Sequence, residues 1–60
     1  MKKILIIEDE KDTRKSLSTA LQLDNEAYEI ACAEDGQSGL KTARSFRPDL
    51  ILLDILMPGS

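Results

Sequence analysis

The chain is 60 residues long, carries 11 acidic against 8 basic side chains for a net charge of −3, and contains no histidine and a single cysteine, Cys32. That length excludes a multidomain enzyme, since a chain of this size buries only about 60 % of the surface its unfolded form exposes. One cysteine closes no internal disulfide, and without histidine it builds neither a four-ligand zinc site nor a Ser-His-Asp or Cys-His catalytic group, so carboxylates, hydroxyls and lysines must carry any chemistry.

Ile4, Leu5, Ile6 and Ile7 form an unbroken apolar run that stops at Glu8-Asp9-Glu10. A short β-branched run without alternation predicts a strand covered on both faces, over Lys3–Glu8. Met1-Lys2-Lys3 before so short an apolar run does not make a signal peptide. Across Lys11–Leu23, Leu17, Ala20 and Leu21 recur at i, i+3, i+4, while Arg14, Lys15, Ser18 and Gln22 take other faces. That is an amphipathic helix, with Glu10 or Asp12 at its positive end and Asp24-Asn25 as its stop.

Tyr28–Ala33 reads as a second strand, with Tyr28, Ile30 and Cys32 on one face and Glu29, Ala31 and Ala33 on the other; Glu29 suits a place nearer the sheet edge. Glu34-Asp35-Gly36 is a turn, and Ser38–Phe46 a second helix with Leu40, Ala43 and Phe46 along its stripe. Gly39 in that helix costs up to about 1 kcal/mol against Ala, which either a close approach to the sheet or simple tolerance explains. Pro48 ends the helix by moving Arg47 out of α geometry. Asp49–Asp54 is a third, wholly apolar-centred strand, and Met57-Pro58-Gly59 a loop. The order β-α-β-α-β implies a parallel sheet with right-handed crossovers, in one α/β domain over residues 1–60.

Two apolar strands end in acid, the first at Glu8-Asp9 and the third at Asp54. Ligands of open α/β sheets bind beyond the carboxyl ends of strands, where the strand order reverses. If the two strands are neighbours there, three carboxylates converge. One like-charge pair at ~4 Å costs ~4 kcal/mol at an effective dielectric of ~20, so a proton or a cation must enter. An all-oxygen donor set points to Mg2+, with phosphate as a co-ligand. Taken singly, Glu8-Asp9 reads first as a helix cap and Asp54 as a turn former; it is their joint occurrence after matching apolar runs that favours a metal.

Ile4-Leu5-Ile6-Ile7-Glu8-Asp9-Glu10, Ala33-Glu34-Asp35-Gly36 and Pro48-Asp49-Leu50-Ile51-Leu52-Leu53-Asp54-Ile55-Leu56-Met57-Pro58-Gly59 together resemble the receiver domain of two-component response regulators. The likeness runs over the whole chain. It implies the N-terminal half of a flavodoxin-like (βα)₅ unit of about 120 residues, with strand order 2-1-3. By position, Asp54 matches the phosphoacceptor that takes a phosphoryl group from a histidine kinase. Asp9 matches the direct carboxylate ligand of Mg2+, Glu8 the acid that holds the metal through water, and Leu56 the residue whose backbone carbonyl completes the protein's share of the shell. Pro58 matches the loop proline and Gly36 the turn before the second helix.

The family's later Ser/Thr and Lys, which hold the phosphoryl group, have no counterpart among the 60 residues, and neither has the switch element. Lys2, Lys3 and Lys11 do not match that lysine. The resemblance therefore implies a weak or lost phosphotransfer, a weak Mg2+ site, and a third strand left as an apolar edge. Such an edge templates pairing with another chain, so a homodimer through the third strand is expected, making a continuous sheet of about six strands.

The competing reading is a self-associating half-domain without phosphotransfer. A half-Rossmann unit fails because Glu8-Asp9-Glu10-Lys11 stands where G-x-G-x-x-G is needed, and acids there repel a pyrophosphate. An aspartate phosphatase fails on spacing, since Asp9-Glu10-Lys11-Asp12-Thr13 does not give D-x-D-x-T. No basic stripe predicts direct nucleic-acid binding, no apolar run approaches the ~20 residues of a membrane span, and the lone thiol suits the cytoplasm. Cys32, Tyr28 and Phe46 are expected to pack, and Arg14 and Lys15 to form a solvated face or a kinase contact.

Overall fold

The computed structural model describes residues 2–24 and 27–53, as β1 (Lys2–Ile7), α1 (Lys11–Asp24), β2 (Tyr28–Ala33), α2 (Gly36–Phe46) and β3 (Leu50–Leu53). The strands form one parallel sheet in the order β2-β1-β3. The expected order, class and topology are all present. Bounds shift by a residue or two, the usual ambiguity of element ends. Glu8 falls just past β1 instead of inside it, and Asp49 just before β3. Asp54, Leu56 and the Met57-Pro58-Gly59 loop, like Asn25 in the expected stop after α1, lie outside the described residues.

β1 is central because its side chains are apolar on both faces: Ile4 is 2 % exposed, Leu5 and Ile6 are fully buried. The register aligns Ile6 with Cys32 and Ile7 with Ala33 on one side, and Ile6 with Leu52 and Ile7 with Leu53 on the other. All three strands therefore end at one level. β2 is an edge strand, as Glu29 suggested.

Two helix stripes and one residue differ from the sequence reading. On α1 the half-buried residues are Thr13, Arg14, Leu17, Ser18 and Leu21, whereas Ala20 is exposed. This i, i+4, i+7 row turns the helix slightly from the predicted face and brings Arg14 onto the sheet side. On α2 the buried row runs through Gly39, Ala43 and Phe46, and Leu40 is left 58 % exposed. Cys32 is exposed, not packed, because the edge position of β2 leaves its flank open. Phe46 does pack, with the Lys3 ammonium 5.4 Å from its ring centre.

The turn before α2 is shorter than expected. Asp35 is its N-cap and the helix begins at Gly36, with the Asp35 carboxylate accepting from the Ser38 N–H at 2.7 Å and from its hydroxyl at 2.9 Å. Both bonds hold the Asp35 carboxyl below its usual value near 3.8, the Ser38 N–H contributing most and the hydroxyl next. At the other end Arg47 takes a left-handed conformation (φ 54°, ψ 65°), and its N–H closes on the Ala43 carbonyl at 2.9 Å. Pro48 thus ends α2 through a left-handed cap. Gly39 is explained by close approach: a Cβ there would lie 2.5 Å from Ile7 Cδ1 and 2.9 Å from Cγ1. Among the described residues no helix is long and apolar enough to cross a membrane.

Candidate functional site at the carboxyl end of the sheet

Glu8 continues the β1 ladder one bond beyond the strand, its N–H donating to the Ala33 carbonyl at 2.9 Å. This pins Glu8 level with the end of β2. Its side chain is 2 % exposed, and Oε1 accepts from the Glu10 N–H at 3.0 Å. A carboxylate is costly to bury unless it is hydrogen-bonded, and here the bond folds the Glu8-Asp9-Glu10 segment back upon itself. Asp9, next along, is exposed at the sheet end. The two acids thus differ: one is held inside, one is presented to solvent.

Arg14 was expected on a solvated face or in a kinase contact. Instead it reaches back from the first turns of α1, and its Nη1 donates to the Glu8 carbonyl at 2.7 Å and to the Asp9 carbonyl at 3.2 Å. Its backbone N–H also bonds the Glu10 carbonyl at 3.0 Å, starting the helix. One residue therefore ties the acidic turn to α1 twice. A signal for it existed in the sequence, since Arg14 lies three, four and seven positions before Leu17, Ser18 and Leu21. Beside it opens a groove of about 290 Å³, lined by Arg14, Cys32, Ala33, Glu34, Ser38 and Thr42.

Of the residues singled out for metal and phosphate, the structure brings Glu8 and Asp9 to one end of the sheet. Leu53, opposite Ile7 in the β1–β3 register, precedes Asp54 in sequence; Asp54 and Leu56 themselves lie outside the described residues. Among the described residues no three Asp, Glu, Cys or His side chains cluster for a metal. The donors that Glu8 and Asp9 offer are carboxylate oxygens alone, and hard oxygen donors fit Mg2+ in preference to a soft metal. Lys2 and Lys3 belong to the opposite end of β1, where the Lys3 ammonium donates to the Phe46 carbonyl at 3.3 Å, while Lys11 is exposed at the start of α1.

A family model of the response regulator receiver domain matches residues 4–60. Similar proteins include the transcriptional regulatory protein AfsQ1 of Streptomyces coelicolor, 42 % identical over 59 residues that cover 98 % of this chain and 25 % of that protein. The alkaline phosphatase synthesis transcriptional regulatory protein PhoP of Bacillus subtilis is also 42 % identical over 59 residues, covering 95 % of this chain and 23 % of its own length. A protein-glutamate methylesterase/protein-glutamine glutaminase of Nitratidesulfovibrio vulgaris is 42 % identical over 55 residues, 92 % of this chain and 15 % of that protein. The chain thus spans a quarter or less of the length of these relatives.

Proposed function

Because the chain belongs to the family of response regulator receiver domains, we propose that it is the phosphoryl-accepting part of a two-component relay, with Asp54 as the acceptor. The observation that supports this is the placement of Glu8, buried, and Asp9, exposed, at the carboxyl end of β1, with Ile7 paired to the residue that precedes Asp54. A carboxylate oxygen of Asp54 attacks phosphorus, the phosphorus–nitrogen bond of the kinase phosphohistidine breaks, and the imidazole leaves with the electron pair. The product is an acyl phosphate on Asp54. Attack by an anion on an anionic phosphoryl group needs its charge offset, which is what Mg2+ supplies when bound. Asp9 and Asp54 would hold that ion directly, Leu56 through its backbone carbonyl, and Glu8 through water.

The 60 residues act as one unit in this reading, in the cytoplasm, with a histidine kinase as partner and without direct contact to nucleic acid or membrane. Incubation with acetyl phosphate and Mg2+ tests the assignment. A mass gain of one phosphoryl group, lost in Asp54→Asn and on chelation of Mg2+, is expected; a gain retained in Asp54→Asn removes Asp54 as acceptor.

One observation favours a second reading, a self-associating half-domain. Among the described residues β3 pairs with β1 alone, and Leu50, Ile51 and Leu53 are 49 %, 48 % and 58 % exposed. A second copy adding its own β3 across this edge would cover them. Absence of any phosphoryl gain, together with a concentration-dependent sedimentation coefficient, selects this reading over the first.

A further inference from the structure

We infer that Arg14 is the positioning residue of the acidic turn, fixing the Glu8 and Asp9 carboxylates by holding the backbone that carries them. The inference rests on the proposed metal site for its consequence, but its geometry stands on the described residues alone. Nη1 of Arg14 bridges two successive carbonyls, those of Glu8 at 2.7 Å and Asp9 at 3.2 Å. With both carbonyls engaged on the α1 side, the peptide planes between Glu8 and Glu10 have little freedom to rotate. The same planes set the Glu10 N–H that the Glu8 carboxylate accepts at 3.0 Å. Arg14 is itself anchored, half-buried on the sheet-facing row of α1, with its N–H on the Glu10 carbonyl. A planar guanidinium suits this bridging role, whereas a lysine is a point charge on a flexible stem.

Charge and position make opposite predictions for the same substitution. A cation beside a cation site repels the incoming ion, so a purely electrostatic Arg14 would weaken divalent binding, and its removal would tighten it. A positioning Arg14 does the reverse: without it the carboxylates lose their fixed spacing and the ion binds less well. Partners that orient metal ligands typically change affinity about 10- to 100-fold when removed. The second effect exceeds the first at the exposed Asp9, where charge is screened by solvent and salt.

The test uses the 60-residue chain with Mn2+ alone as probe, the free ion being counted by electron paramagnetic resonance in wild type, Arg14→Gln and Arg14→Lys. Amide exchange is followed at Glu10, with Gly39, whose N–H bonds the Asp35 carbonyl at 2.8 Å, as a reference. Positioning predicts Mn2+ affinity about 10-fold lower in Arg14→Gln, a smaller loss in Arg14→Lys, and faster exchange at Glu10 with Gly39 unchanged. Tighter binding in Arg14→Gln with Arg14→Lys like wild type overturns it, as does unchanged exchange at Glu10. Should wild type bind no Mn2+, the metal reading fails and the Glu10 amide alone decides on Arg14. If Arg14→Gln does not fold, Arg14→Lys carries the comparison.

Discussion

Gly36 and Gly39 lie three residues apart in α2, yet their surroundings are opposite. A Cβ at Gly36 meets nothing within 4 Å, so Gly36→Ala reduces the freedom of the unfolded chain and raises stability by about 0.4–1 kcal/mol. At Gly39 the same change gains about 1 kcal/mol of helix propensity but drives a methyl into Ile7 Cγ1 and Cδ1, and such overpacking costs about 1–3 kcal/mol. Thermal unfolding of the two variants should therefore move in opposite directions; a stabilised Gly39→Ala would show that Ile7 re-packs freely. Asp35 gives the pH counterpart. Its carboxyl is lowered in the folded state by the Ser38 N–H and hydroxyl, so the cap contributes in full above the ordinary carboxylate value. That contribution is lost as pH falls through the lowered folded value, below about pH 4. Asn also caps helices but does not titrate, so Asp35→Asn should flatten the fall of melting temperature between about pH 5 and pH 2. An equally steep fall in both proteins would assign it to other acids.

The junction of α2 with the sheet shows how separate elements are joined, and it lies at the end opposite the acidic turn. The Lys3 N–H donates to Asp49 Oδ2 at 2.8 Å, and the Asp49 N–H returns a bond to the Lys3 carbonyl at 2.7 Å. The Lys3 ammonium meanwhile rests on the Phe46 ring and carbonyl, where a cation complements the negative end of the helix dipole. Asp49→Ala removes the carboxylate that accepts from the Lys3 N–H, keeps the Asp49 N–H bond to the Lys3 carbonyl, and should cost about 1 kcal/mol, with amide exchange quickening first in Leu50–Leu53; unchanged exchange there would mean that β3 is held without the Asp49 side chain. Element order was legible in the sequence because apolar periodicity encodes it directly, while the strand order β2-β1-β3 came from the resemblance to receiver domains. The apolar run Ile4–Ile7 and the covered strand are one fact seen twice. What periodicity does not encode is which of two adjacent rows faces inward when a residue is amphipathic. Arg14 reads as solvated by its charge, yet its stem follows the row of Leu17 and Leu21 and its head finds carbonyls at the strand end. Leu40 reads as core by its side chain, yet the close approach of α2 at Gly39 turns it outward. Of the candidate site, the acids after β1 were legible as a strand-end motif, while the arginine that fixes them is a tertiary contact.

At the scale of the whole molecule the balance between buried and exposed apolar surface is the governing quantity. Among the described residues the buried apolar side chains are Ile4, Leu5, Ile6 and Ala33, whereas Leu23, Leu40, Leu50, Ile51 and Leu53 each leave about half or more of their surface open. Each large apolar side chain moved from water to a full contact contributes about 1.5–3 kcal/mol, so the exposed set can contribute as much on association as the core does on folding. The two edges of the sheet are unlike. β2 carries Glu29 and ends in small residues, a poor template, while β3 is Leu-Ile-Leu-Leu with no charge to blunt it. The second reading, in which a second copy pairs along β3, is tested at that edge by Ile51→Lys. Ile51 is 48 % exposed, so a lysine there can extend its ammonium into water and costs the folded chain about 1 kcal/mol or less. A paired β3 edge would instead have to take two such lysines into one apolar seam, and burying an unpaired charge there is costly. Sedimentation at micromolar concentration should therefore show a dimer for wild type and a monomer for Ile51→Lys, with the helical circular dichroism of both alike on dilution. A wild-type chain that sediments as a monomer and melts cooperatively would instead mean that so small a core suffices on its own.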